Sequence, residues 1–299
     1  MFILCLLPLQ LLGGETNYAS FSISGYGFLG NRELKRVVGL LQKTPVEFYE
    51  PSFIEDAAVL IMGALRREGF LKPRITAHVT LQDSSQAEFE WTEQTRAPLP
   101  RPLSARKVRF KVREGKLFHY ETLRFQGLQS LPSKEARKFF IETGLLIPLK
   151  NSRVYTPEKL RRSASALQET LQRRGYRDAR VEIGELSEDE AKGEVHVTIR
   201  VVEGNKFMVR SVTKEVRTPD TNVHTVTTET NAVYSSAWAQ DLKQALQTYY
   251  YERGFPDASA EVTATNVDSF ARETSSPRLA SRTNITEVDV VARVSTGPA

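Results

Sequence analysis

The stretch VEFYEPSFIEDAAVLIMGALRREGFLKPRI, Val46–Ile75, aligns without a gap on Ser152–Val181 and on Asn231–Ala260, thirty residues each at offsets of 106 and 79. Self-similarity of this kind fixes the structural unit before any single element is read. Each copy places an aromatic (Tyr49, Tyr155, Tyr234) ahead of a helical run and closes the run on a Gly-aromatic pair: Gly69-Phe70, Gly175-Tyr176 and Gly254-Phe255. In the second copy Thr156-Pro157 supplies an N-cap and a proline at the first helical position, where a missing N–H costs nothing. Leu160, Ala164, Leu167 and Leu171 then form one apolar stripe. Ile54, Ala58, Ile61 and Leu65 repeat it in the first copy. In the third copy, capped at Ser235, Lys243 breaks the stripe, and Leu242, Ala245, Leu246 and Tyr249 define a slightly rotated face. Each helix is expected to stop at its glycine, which takes the left-handed conformation at low cost.

Past the glycine the apolar period changes from helical to two, the signature of a strand with one buried face. Ile75, Ala77, Val79 and Leu81 alternate with Thr76, His78 and Thr80. Ala179, Val181 and Ile183 alternate with Arg180 and Glu182, and Ala258, Ala260, Val262 and Ala264 with Ser259, Glu261 and Thr263. A second alternating strand closes each unit and ends in VREG (Val112–Gly115), VVEG (Val201–Gly204) or VSTG (Val294–Gly297). Ahead of the repeated helix the first two copies have a short strand and another helix, with Asn31 and Ser133 as expected N-caps. The third copy instead reads TPDTNVHTVTTETN, rich in β-branched residues and without a 3.6 period, so its first helix is expected to be shortened or lost. Gln82–Ser104 and Ser269–Glu287 read as solvated loops between paired strands.

The expected fold is therefore α+β: three tandem β-α-α-β-β domains, each a three-stranded mixed sheet with helices on one face, over residues 21–115, 116–204 and 205–299. Residues 1–20 precede them. Met1–Gly14 is apolar and uncharged, too short to span a bilayer as a helix, and reads as the apolar core of a secretory signal. It holds the sole cysteine, Cys5, so the mature chain cannot form a disulfide within itself. A net charge of +5 spread along the chain gives no basic stripe that would point to nucleic acid.

No arrangement of residues predicts chemistry. His78, His119, His196 and His224 are scattered, SEDE at Ser187–Glu190 reads as a solvated hairpin tip, and no P-loop, G-x-S-x-G, dinucleotide fingerprint or HxxxH occurs. No catalytic residue, metal or cofactor is expected. KH domains also combine helices with a three-stranded sheet and make an RNA-binding array the main rival. Their GXXG backbone clamp is missing from both inter-helix segments, Gln42–Pro51 and Leu146–Pro157.

The unit order, the Arg-rich helix ends at Arg67–Phe70, Arg173–Tyr176 and Arg253–Phe255, the opening GNRELKRVV at Gly30–Val38 and the two V-x-E-G closures together resemble the POTRA (polypeptide-transport-associated) domain. Tandem arrays of it look like the periplasmic part of outer-membrane assembly factors of the BamA and TamA kind, the bacterial surface antigens. The resemblance implies a periplasmic scaffold, not an enzyme, that receives unfolded outer-membrane proteins, and accessory lipoproteins, and passes clients to a β-barrel. No run of amphipathic strands with the barrel signature follows Gly297. In that family the strand after the Gly-aromatic pair lies at a sheet edge. Thr76, His78, Thr80, Arg180, Glu182, Ser259, Glu261 and Thr263 are accordingly the expected client-binding positions, working by β-augmentation. Proline at Glu261 is expected to block pairing if its N–H points outward. A passive spacer is the competing reading.

Overall fold

The computed structural model describes residues 18–94, 98–141, 153–218, 222–272 and 283–297; the signal-like segment lies outside them, apart from its last three residues. The chain divides into two compact units, Met1–Phe118 and His119–Ala299. The described strands form three mixed sheets, each drawn from a contiguous stretch: one in the first unit and two in the second.

In the first unit the elements are β1 (Ser20–Ser24), α1 (Gly27–Gly39), α2 (Pro51–Arg67), β2 (Arg74–Leu81), β3 (Gln86–Trp91) and β4 (Ala105–Arg113). The strand order is β1-β4-β2-β3, with β1 parallel to β4 and the other pairs antiparallel. The stripe Ile54, Ala58, Ile61, Leu65 is fully buried against Ile75, Ala77, Val79, Val108 and Phe110. Tyr49 stacks on Phe53 with ring centroids 4.0 Å apart, which fixes the entry to α2. Two expectations change here. Gln82–Ser104 is not all loop, because it contains β3, whose Phe89 and Trp91 pack on the core while Gln86, Glu88 and Glu90 face outward. Asn31 is not an N-cap: α1 begins four residues earlier, and the Asn31 side chain accepts from the Tyr26 N–H at 3.0 Å.

The second unit opens with β5 (His119–Gln126), α3 (Ser133–Arg137), α4 (Pro157–Arg173), β6 (Arg180–Asp189) and β7 (Glu194–Val202), in the order β5-β7-β6. Thr156 caps α4 by accepting the Lys159 N–H at 3.0 Å, and Leu160, Ala164, Leu167 and Leu171 are buried. Ser133 makes no side-chain cap bond; α3 starts at Ser133 itself, and Pro132 holds the capping position. The glutamate of VVEG has a clear duty. Glu203 Oε1 accepts from the N–H groups of Gln129 and Ser130 and from the Ser130 hydroxyl, all within 2.8 Å, pinning the loop before α3 to the end of β7.

The third sheet comprises β8 (Lys206–Arg217), β9 (Val223–Val233), β10 (Ser259–Arg272) and β11 (Thr283–Ser295), in the order β10-β11-β8-β9, with α5 (Ser236–Tyr251) packed on β10 and β11. Among the described residues no helix stands between β8 and α5. The β-branched run forms β9 instead, so this sheet, like the first, has four strands rather than three. Strands also run into both ends of Ser269–Glu287, since β10 continues to Arg272 and β11 begins at Thr283. Ser235 caps α5 by accepting the Trp238 N–H at 3.1 Å. The sheet-facing side of α5 keeps the repeat register, with Ala239, Lys243, Leu246 and Tyr250 half-buried, whereas Ala245 and Tyr249 of the expected rotated face are exposed. A lysine in the apolar stripe keeps the helix from seating: α5 has no buried residue. The core beneath it is correspondingly small, built on Phe207, Val209, Val288 and Val290.

All three repeated helices end alike. Gly69, Gly175 and Gly254 have φ of 99°, 96° and 90°. The following aromatic N–H returns to the carbonyl five residues back (Phe70 to Leu65, Tyr176 to Leu171, Phe255 to Tyr250), each at 3.1 Å. The glycine N–H bonds the carbonyl three back. This is the Schellman closure, and it satisfies carbonyls that the helix end leaves open.

Candidate functional site

A sheet edge carries a row of N–H and C=O groups with no ladder partner, and whether it can accept another strand depends on what covers that row. The candidate strands after the three Gly-aromatic pairs differ in this respect. β2 lies between β3 and β4 and so has no free edge. Thr76 is buried, and His78 faces Glu88 on β3 at 3.3 Å. Thr76, His78 and Thr80 are therefore not edge residues: the inserted β3 takes the place an incoming strand would use. His78 and Thr80 instead help line a polar basin of about 430 Å³ that includes Lys107 and Arg109.

β6 is an edge strand, with Arg180 and Glu182 exposed. Its first residues are covered by α4. Gln168 Oε1 accepts the Val181 N–H at 3.0 Å, and Gln172 Nε2 donates to the Ala179 carbonyl at 3.4 Å. The ladder with β7 is then interrupted between Ile183 and Leu186. Gly184 sits in that bulge with no room for a side chain, since a Cβ would lie 2.9 Å from the Thr198 carbonyl oxygen. A bulge re-aims the strand and ends regular pairing.

β10 is the edge of the third sheet, and its orientation follows from its neighbour. The Thr296 N–H is donated to the Arg217 carbonyl on the β8 side. Alternation along β11 then turns the N–H of Arg293 toward β10, where it faces Glu261. Glu261 and Arg293 therefore exchange ladder bonds, and the outward N–H groups of β10 are those of Ala260, Val262 and Ala264. The hydroxyls of Thr263 and Thr265, which reach the Val291 and Asp289 carbonyls at 3.4 and 3.3 Å, fall in the same inward phase. In the repeat, Ala260 corresponds to Val181, whose N–H also points outward. Ser259 and Glu261 are exposed, Thr263 is half-buried, and Ala260 is buried. The condition attached to proline at Glu261 is thus not met, because that N–H is spent on β11.

The other edge of this sheet, β9, is exposed along nearly its whole length. β9 packs on the core only through Ala232 near its end, so most of its length does not specify a pairing register, whereas β10 packs Val262 and Ala264 on the core and does.

One cluster of potential metal ligands occurs among the described residues. Ligand atoms of His119, Glu121 and Glu194 lie within 4.8 Å of one another. Sequence gave no sign of it, because the parallel register that sets His119 beside Glu194 is not written in either strand alone. Its two carboxylates face cations, Glu121 at 3.8 Å from Arg153 and Glu194 at 3.7 Å from Lys192.

Residues 118–204 match the family model for POTRA, described as a surface antigen variable number repeat. No curated protein matches the chain. Solved structures similar to it include POTRA domains 3–5 of Haemophilus influenzae BamA, 18% identical over 93% of this chain and 95% of that one, with a TM-score of 0.35. The N-terminal domain of Omp85 from the cyanobacterium Thermosynechococcus elongatus is 16% identical over 93% and 96%, also at 0.35. POTRA domains 1–2 of the periplasmic domain of Omp85 from Anabaena are 18% identical over 62% and 94%, at 0.30. The family match runs from the residue before β5 to the glycine after β7, so it spans the second sheet with its helices, on which the other two repeats align.

Proposed function

We propose that this chain is the periplasmic scaffold of an outer-membrane protein assembly factor, built of three POTRA-like domains over residues 21–115, 116–204 and 205–299. It receives extended segments of unfolded outer-membrane clients by β-augmentation and passes them toward a membrane β-barrel, with accessory lipoproteins as further partners. The observation that carries the reading is the row of outward N–H groups at Ala260, Val262 and Ala264 on an edge strand whose other face is held by a core. Main-chain pairing suits clients of varied sequence, with alternate side chains adding modest preference. The outward backbone of β6 at Val181, flanked by Arg180 and Glu182, forms a second, shorter acceptor that the α4 glutamines restrict. Ser259, Glu261 and Thr263 flank the outward row, so their side chains contribute little to binding.

The test is amide chemical-shift mapping of the whole chain with an extended peptide of alternating apolar and polar residues and, separately, with single-stranded RNA. Shifts along Ala260–Ala264 with peptide alone support augmentation. Peptide indifference with RNA shifts around Arg253 would transfer the chain to the nucleic-acid class, and indifference to both would leave a spacer.

A further inference from the structure

The helix-end glycines share their φ angle and their Schellman bonds, yet they differ in exposure: Gly69 and Gly175 are buried and Gly254 is exposed. The difference lies in what sits on the carbonyl. Gly69 accepts the Phe118 N–H at 2.9 Å, and Gly175 accepts the Phe207 N–H at 2.8 Å. Both phenylalanines are buried, Phe118 just before β5 and Phe207 at the start of β8. At Gly175 an added Cβ would meet Val233 Cγ1 at 2.6 Å and the Phe207 carbonyl oxygen at 3.0 Å, whereas at Gly254 it would meet nothing within 4 Å. Tyr251, on the last turn of α5, is 66% exposed beside the uncovered glycine.

The route by which a phenylalanine arrives is also repeated. Phe118 is the third residue after Gly115, and Phe207 the third after Gly204. Gly115, Gly204 and Gly297 share a positive φ of 79°, 72° and 67°. Each sits against the residue three past its helix-end glycine. A Cβ would lie 3.0 Å from the Lys72 carbonyl oxygen at Gly115, 3.3 Å from Asp178 Cβ at Gly204 and 3.2 Å from Asp257 Cβ at Gly297. Gly297 is thus aimed at Gly254 as Gly204 is aimed at Gly175.

We infer that the Gly254 end of α5 is a docking site for one kind of occupant: the opening strand of a further β-α-α-β-β module, entering three residues beyond Gly297 on an aromatic residue. The aromatic N–H binds the Gly254 carbonyl, and its ring covers the glycine beside Tyr251 and Phe255. This surface is separate from the β10 edge and stands or falls independently of client capture.

The test joins a copy of residues 205–297 directly after Gly297 of the full chain, which sets the copied phenylalanine three residues past that glycine. Amide hydrogen exchange should protect the copied phenylalanine N–H to within about tenfold of Phe207 in the same molecule. Replacing the copied phenylalanine by alanine should restore the exposure of Tyr251 to a soluble fluorescence quencher. A folded copy whose phenylalanine amide exchanges at the rate of an open chain would overturn the proposal. Should the copy not fold, a peptide spanning Gly204–Val212 decides when titrated into the unextended chain. Amide shifts at Gly254 and Phe255 that vanish on Phe207→Ala in the peptide support docking, and no shift there refutes it.

Discussion

At the scale of single residues, the helix-end glycines give a graded test. Alanine at either Gly175 or Gly254 takes on the left-handed penalty of roughly 1–2 kcal/mol. Only at Gly175 does the new methyl also collide with Val233 and the Phe207 backbone. Gly175→Ala should therefore lower the melting midpoint more than Gly254→Ala, and equal losses would show that the cap alone matters. On β10 the proline scan is equally discriminating. Val262→Pro should abolish the peptide shifts on β10 while leaving the β11 ladder intact, whereas Glu261→Pro should cost stability by removing a ladder bond. Two phenols report on the second sheet's core. Burial and then the Glu188 charge push Tyr155 up to about 12, and burial raises Tyr120 as well. A phenol raised in the folded state above its unfolded value of about 10 adds stability that is fully present below pH 10 and is lost as pH climbs toward 12. Absorbance titration at alkaline pH should show a late-ionising group that Tyr155→Phe removes.

At the scale of elements, the repeated helices and the strands after them were legible because each signals itself locally: Thr156 and Ser235 cap, the glycines close, and the apolar period switches. What escaped was whatever depends on a partner. β3 hides in a polar stretch because only Ala87, Phe89 and Trp91 mark its inner face, and its presence decides that β2 is no edge. β9 shows no apolar alternation at all, so the loss of a helix was readable but the gain of a strand was not. Nor does sequence give the phase of an edge, which is why Glu261 looked available. The glutamine cover of β6 is likewise a tertiary fact, and it leads to a prediction. Gln168→Ala should cost on the order of 1 kcal/mol by exposing the Val181 N–H, and in peptide titrations the shifts on β6 should spread to Val181. Unchanged β6 shifts would mean that the bulge at Gly184, rather than the glutamine, limits that edge.

At the scale of the whole chain, the second and third sheets are unequally supported. The α4 stripe of Leu160, Ala164, Leu167 and Leu171 is buried, while α5 buries nothing completely and rests on a small core. A fragment of residues 116–299 should therefore melt in two steps. The lower step belongs to the third sheet, and the upper one should match residues 116–204 alone. A single sharp transition would show instead that the two sheets fold as one unit.

The hydrogen bond from Phe207 to Gly175 also makes this junction sensitive to parity. In extended chain the N–H direction reverses with every residue, so a residue inserted between Asn205 and Lys206 would turn the arriving N–H away from the Gly175 carbonyl, while a pair would turn it back. Spacer length at this joint is thus counted in twos: one added glycine should destabilise the third sheet's attachment more than two, the reverse of what a slack tether would show.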